Sequence, residues 1–191
     1  MDAIHQFLDN LFPLPKESKQ KFLHLSELVF LKKNSFIFKA GDIHDSFFIL
    51  KSGIARSFCV DKNGKEFSRS FFTPMMSAGS LSLLIEGKKS EFSYQCLTDC
   101  SFYKINFKAF IKITESDLYL SKLYRKMLET SFLIFKNKLD DLAMLNASER
   151  YLKLQKQIPN VDNLLPQYHI ASYLNITNVQ LSRIRKELHT K

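Results

Sequence analysis

The chain has 191 residues and a formal net charge of +9, with 45% hydrophobic and 25% charged residues. No stretch approaches the roughly 20 apolar residues of a membrane span, and the start MDAIHQFLDNLF lacks the basic-then-apolar order of a secretory signal. Three cysteines, Cys59, Cys96 and Cys100, are too few for a disulfide framework; they read as reduced cytoplasmic thiols filling strand positions, and no metal site is expected from them.

Helices are expected at 2–12 and 16–24. From about 25 to 110 the texture changes to short Phe-, Ile-, Leu- and Ser-rich runs: SELVFL, SFIFKAG, SFFILKSG, ARSFCV, FSRSFF, SEFSYQCL and SFYKINF. Turn residues separate them at Gly41-Asp42, Ser52-Gly53, Asp61 to Gly64 and Glu86-Gly87. Many short strands at near-regular spacing predict an antiparallel sandwich or barrel. From about Asp117 to Leu145 the period is helical, and Leu128, Phe132, Phe135, Leu139 and Leu142 form a heptad seam. Such a seam packs along the barrel or pairs with its copy in a second chain. Dimerisation is the favoured reading, with the helix touching the barrel through Tyr124, Met127 and Ile134. Asn146, Ser148 and Glu149 offer caps for a helix over 147–158, closed by Pro159 and Asn160, with a short polar loop at 160–163.

Residues 165–188, LPQYHIASYLNITNVQLSRIRKEL, predict two short helices joined by a tight turn. Ile170, Ala171, Leu174, Ile176, Leu181 and Ile184 would form its small apolar core. Pro166 suits the first turn, Asn175 tolerates a left-handed backbone, and Thr177 with Gln180 makes a capping box. This is the pattern of a helix-turn-helix, which lays its second helix in the DNA major groove. Thr177, Asn178, Val179, Gln180, Ser182, Arg183, Arg185 and Lys186 are left for DNA. Arg183 is the strongest base-reading candidate, because guanidinium and amide groups near the helix start suit base edges.

Charge follows the same division. Residues 1–115 carry 16 basic and 12 acidic side chains, and 116–191 carry 12 and 7. The C-terminal part is more basic per residue, as a polyanionic partner requires.

The order of β-roll, long seam helix and C-terminal helix-turn-helix resembles the Crp/Fnr superfamily of transcription regulators. Ala40-Gly41-Asp42 through Phe47-Phe48-Ile49-Leu50 to Gly53 is similar to that family's glycine–aspartate turn and aromatic strand. Asp61 to Glu66 resembles its hairpin, and Gly79 to Gly87 the segment lining the cyclic-nucleotide pocket. The resemblance implies an α+β chain: an antiparallel β-roll (double-stranded β-helix or jelly-roll, cyclic-nucleotide-binding-like) over 1–115, a dimerisation helix over 116–145, and a helix-turn-helix domain over 146–191 without a full wing. It implies a cytoplasmic, dimeric, sequence-specific DNA-binding regulator, with double-stranded DNA, a second copy and RNA polymerase as partners.

The family's ribose-binding glutamate and phosphate-binding arginine fall on Ser80 and Ser90. A serine brings no charge to a cyclic phosphate, so cyclic AMP is not the expected ligand. Gly79, Ser80, Leu81, Ser82, Ser90, Glu91 and Phe135 are the pocket candidates for an unidentified small-molecule effector, or for a pocket closed by Phe92 and Phe135. Lys88 and Lys89 are expected to be solvated. His24 and His44 are expected in polar, solvated settings rather than as haem ligands. Without a wing, DNA affinity would lean on Arg185, Lys186, Lys191 and dimerisation. The alternative is a small-molecule-sensing signalling protein whose C-terminal helices bind protein. No nucleophile–base spacing or glycine-rich phosphate loop supports an enzyme.

Overall fold

The structure is a computed structural model that describes residues 3–189; Asp2 and Lys191, both drawn into the expectations above, lie outside the described residues. Two helices, α1 (Ala3–Leu11) and α2 (Lys16–His24), precede the strands β1 (Ser26–Leu31), β2 (Phe36–Phe38), β3 (Ser46–Ser52), β4 (Ala55–Val60), β5 (Glu66–Phe72) and β6 (Ser77–Ala78). After α3 (Leu81–Glu86) come β7 (Ser93–Cys96) and β8 (Cys100–Asn106). The strands form two antiparallel four-stranded sheets, in order β1-β8-β3-β6 and β2-β7-β4-β5. Their facing sides enclose Phe38, Phe48, Leu50, Phe72, Tyr94, Cys96, Cys100 and Phe102. This is the antiparallel roll that the resemblance implies, and its strands fall where the spacing predicts a sandwich or barrel.

Glycine or asparagine takes the positive φ at most chain reversals, and Met75 at φ +74 is the exception among the described residues. Gly53, at φ +95, could not be replaced, because a Cβ there would lie 2.4 Å from the Asp99 carbonyl oxygen.

The segment after β8 departs from the expected pattern. Phe107–Thr114 is a helix, α4, directly after β8. Its sequence FKAFIKIT has strand-like composition, but the Asn106 side chain caps it by accepting from the Ala109 amide at 2.9 Å. Phe107 and Phe110 are then buried with Leu120 and Leu123, and that packing outweighs propensity.

The long helix α5 runs Leu118–Met144, about 40 Å at 1.5 Å per residue. Its cap, Asp117, accepts from the Tyr119 and Leu120 amides and also from Ser18 and Lys21 of α2. Tyr124 and Met127 pack against the roll as expected. Ile134 does not: it is 49% exposed and belongs to none of the core clusters.

Beyond α5 lie α6 (Ala147–Gln157), α7 (Val161–Leu164), α8 (Gln167–Leu174) and α9 (Asn178–His189). The capping box predicted at the start of α6 is present between Asn146 and Glu149. The loop predicted at 160–163 is instead Asn160 in the left-handed region followed by α7.

The C-terminal helices share one core with the roll. Ile54, Phe71 and Leu97 of the roll join Tyr151, Leu154, Ile170, Leu174, Leu181 and Ile184. Phe71 stacks on Tyr173 at 4.7 Å between centroids. Inside this contact Arg56 donates to His169 Nδ1 at 2.8 Å. Arginine can only donate, so the neutral imidazole accepts at Nδ1 and carries its proton on Nε2. Burial, then the Arg56 charge, pull His169 down from 6.5 to about 4; Glu66 and Tyr168 are further charged or titratable groups at this contact.

The native state therefore resists a proton that the unfolded chain accepts. Its contribution to stability is complete above pH 6.5 and is lost as pH falls from 6.5 to about 4. That window corresponds to about 3 kcal/mol. Thermal melts of wild type and His169→Gln across pH 7 to 4 should show a steeper loss in the wild type.

Candidate nucleic-acid interface and roll interior

The two-helix unit is built by local rules visible in its sequence. Pro166, at φ −57, is the N-cap of α8, one position ahead of the expected first turn, and Ile170 N donates to its carbonyl. Asn175 caps α8 at φ +57, in the left-handed region. The Thr177 amide donates to Gln180 Oε1 at 2.9 Å, and the Gln180 amide donates back to Thr177 Oγ1 at 3.1 Å. Leu181 and Ile184 are buried against α6 and α8, which fixes the rotation of α9.

That rotation turns Thr177, Asn178, Val179, Gln180, Ser182, Arg183 and Lys186 to solvent. Val179 is 62% exposed among polar neighbours. An apolar group beside amide and guanidinium donors is the set that reads a thymine methyl and a purine edge together.

Arg185 is placed differently. Its guanidinium pairs with Asp162 of α7 and lies 5.9 Å from the Tyr151 ring centroid. Tyr151 donates to the same carboxylate at 2.5 Å, and Gln155 donates at 3.2 Å. Burial and the Asp162 hydrogen bond push the Tyr151 phenol up to about 12. Arg185 thus spends its charge inside the protein, and the expectation that it flanks the DNA face is corrected on that ground.

Of the seam, Leu128 is half-buried, while Phe132, Phe135, Leu139 and Leu142 are 40–65% exposed. Below the seam, α5 is tied to the C-terminal unit. Lys138 donates to the Tyr173 carbonyl at 3.0 Å and lies 3.1 Å from that ring's centroid. Arg150 donates to the Leu145 and Leu174 carbonyls, so the last carbonyls of α8 face two cations, as the helix dipole favours. Burial, reinforced by Arg150, draws the Lys138 ammonium down to about 8.

In the roll, Gly79 passes so close to Phe47 that a Cβ would meet its Cβ at 3.2 Å. Ser80 and Ser90 are both buried. The Ser80 and Ser82 hydroxyls lie 3.2 Å apart, and Ser90 donates to the Phe92 carbonyl at 2.7 Å. Leu81, Ser82 and Glu91 face solvent, and Phe135 is 58% exposed on α5. Between the sheets the fully buried Tyr94 lies 4.3 Å from Phe38 and 5.6 Å from Phe72, centroid to centroid. Its hydroxyl donates to the Gly79 carbonyl and accepts from Arg69, at 3.0 Å each. Arg69 in turn covers the Phe92 ring at 4.0 Å. The segment that the resemblance assigns to a ligand is thus held by side chains of the roll itself.

Lys88 is solvated beside Glu86, as expected. His24 bonds the Gln20 carbonyl at the end of α2. His44 corrects its expectation: its ring lies 3.8 Å from that of Phe38, and both nitrogens are buried without a hydrogen bond. Burial lowers its pKa. Cys96 and Cys100 fill buried strand positions. Among the described residues, no group of three or more His, Cys, Asp or Glu side chains is arranged to hold a metal, and no helix is long and apolar enough to cross a membrane.

Sequence reasoning missed Arg56, His169 and Ser172, which join the C-terminal unit to the roll. The one local signal was an arginine inside the apolar run ARSFCV.

Residues 28–117 match the family described as cyclic nucleotide-binding domain. None of the curated proteins matches the sequence. Among solved structures, the chain is similar to the c-di-GMP-responsive global regulator CLP of Xanthomonas campestris, at 16% identity and TM-score 0.69 over 92% of each chain. It is also similar to FixK2 of Bradyrhizobium japonicum, at 18% identity and TM-score 0.73 over 86% of this chain and 85% of that one. A transcriptional regulator assigned to the Crp/Fnr family from Eubacterium rectale gives 15% identity and TM-score 0.72 over 95% and 88%. Residues 28–117 therefore match the cyclic nucleotide-binding domain family, within a chain that shares its fold with these three structures.

Proposed function

We propose that the protein is a cytoplasmic, dimeric, sequence-specific DNA-binding regulator of transcription. The observation that carries this reading is the division of α9. Leu181 and Ile184 face inward, and Asn178, Val179, Ser182, Arg183 and Lys186 face solvent on a capped helix. Base-edge donors lie near its start and a cation lies further along, the arrangement that separates base reading from phosphate contact.

The seam of α5 supplies the second half. Phe132, Phe135, Leu139 and Leu142 expose apolar surface that water penalises, and a parallel copy would cover it. Two recognition helices about 34 Å apart would then read a palindromic site. RNA polymerase is the further partner such a regulator would meet. Cyclic AMP is not the ligand in this reading: Ser80 and Ser90 carry no charge, and Tyr94 and Phe92 occupy the space beside them. An effector, if the roll takes one, enters by displacing aromatic side chains. The domain limits 1–115, 116–145 and 146–191 serve this reading as effector, dimer and DNA units.

Selection of bound fragments from random duplexes, followed by a salt series, tests the function. A steep fall of affinity with salt supports DNA binding, and the absence of binding favours a protein partner for the C-terminal helices. At the selected site, Arg183→Ala should weaken binding by about 1–3 kcal/mol and relax the base preference there; an equal loss on non-specific duplex would make Arg183 a phosphate contact. Phe135→Asp should leave monomers in sedimentation, and an unchanged mass would exclude this interface. Arg185→Ala should cost about 1–3 kcal/mol of stability with no change in the salt slope, because its charge is spent on Asp162.

A further inference from the structure

We propose that Arg56 is a positioning residue for α9, acting from the outer face of the roll. It clamps α8, and through α8 sets how the recognition helix is presented. The clamp stands on geometry alone; its consequence for DNA rests on the function proposed above.

Arg56 lies on β4 and is 2% exposed. All three guanidinium nitrogens have partners. Nε and Nη2 donate to Gln95 Oε1 at 3.1 and 2.8 Å, Nη2 pairs with Glu66 Oε2 at 2.6 Å, and Nη1 donates to His169 Nδ1 at 2.8 Å. Its flat face rests 3.8 Å from the Phe58 centroid. Gln95, Glu66 and Phe58 belong to β7, β5 and β4, so the roll fixes the plane of the guanidinium. The one remaining direction is aimed at α8.

A second contact on the same face of α8 makes the docking specific. Ser172, one turn after His169, accepts from the Ser68 amide at 2.8 Å and donates to the Glu66 carbonyl at 3.0 Å. Glu66 is thereby held through its side chain by Arg56 and through its backbone by Ser172. A buried ion gives less stability than apolar packing of the same volume, but it tolerates few alternative geometries. Apolar contact between Phe71 and Tyr173 supplies adhesion; Arg56, His169 and Ser172 supply register. The turn at Asn175 and the Thr177–Gln180 box join α8 rigidly to α9, so the register of one becomes that of the other.

The experiment uses the full chain with Arg56→Met and Arg56→Lys from the roll side, and His169→Asn and Ser172→Ala from the helix side. Amide exchange of α8 and α9 is compared with that of β3 and β8, and affinity for the selected duplex is measured across a salt series. Each variant should exchange α8 and α9 amides roughly tenfold faster than wild type with β3 and β8 unchanged. Arg56→Lys should not rescue, because an ammonium lacks the planar fork. Affinity should fall about tenfold with the salt slope unchanged, since the clamp touches no phosphate. Should Arg56→Met unfold the roll, seen as faster exchange in β3 and β8, the helix-side variants decide. Unchanged protection of α8 in those variants overturns the clamp. Faster exchange with wild-type or tighter affinity overturns the positioning role. If wild type binds no duplex, the DNA reading fails on its own while α8 exchange still decides the clamp.

Discussion

The contact between the roll and the C-terminal helices is the constraint on which the rest of the molecule turns. Ile54, Phe71 and Leu97 complete a core that the four short helices would otherwise close only in part. A helix pair of 8 and 12 residues is too short to be stable alone in water. Its geometry is therefore borrowed from its neighbours, and the roll is the largest of them. At the centre of this apolar contact sits a buried arginine with a carboxylate, an amide and an imidazole around it. Apolar surface makes the two parts adhere in many ways; the charged cluster admits one.

The long helix links three environments in sequence. Its first turns, with Leu120, Leu123, Tyr124 and Met127, belong to the roll. Its last turns are tied by Lys138 to α8 and by the Asp141–Lys153 pair to α6. Between them, Phe132, Leu133, Ile134 and Phe135 are exposed on every side. A helix apolar all round is stable only when buried. That middle turn is the least covered stretch of α5.

What the sequence made legible was local. Strand runs bounded by Gly and Asn, the Asn146–Glu149 and Thr177–Gln180 boxes, and Asn175 in a left-handed turn all follow from interactions between residues a few positions apart. The core residues of the α8–α9 pair followed from the same spacing. What escaped was tertiary. Arg56 and His169 are separated by 113 positions, and nothing near either predicts the other. Arg185 sat on a basic helix and read as a DNA contact, until α7 placed Asp162 beside it. The failure at Ile134 has the same origin: helical phase puts it on the side of Tyr124 and Met127 but does not say how far along α5 the packing extends. His44 read as solvated from its turn, whereas the aromatic residue it meets, Phe38, comes from the preceding strand.

The strand pairing brings the roll interior next to the clamp. On β4, Arg56 pairs with Gln95 of β7 and Ser57 pairs with Tyr94. Adjacent residues of a strand point to opposite faces, so the Tyr94 position on the inner face and the Arg56 position on the outer face are one pleat apart. Tyr94 holds the Gly79 carbonyl at the start of the segment resembling the nucleotide-binding stretch, and Gln95 holds Arg56. Any rearrangement that moves Tyr94, whether a ligand entering the roll or a change in how Arg69 and Phe92 cover it, displaces the residue next to Gln95. The two sides of one strand pair thus contact the Gly79 segment and α8. A two-state change in this sheet would need no longer path than the thickness of a β-strand to reach α8.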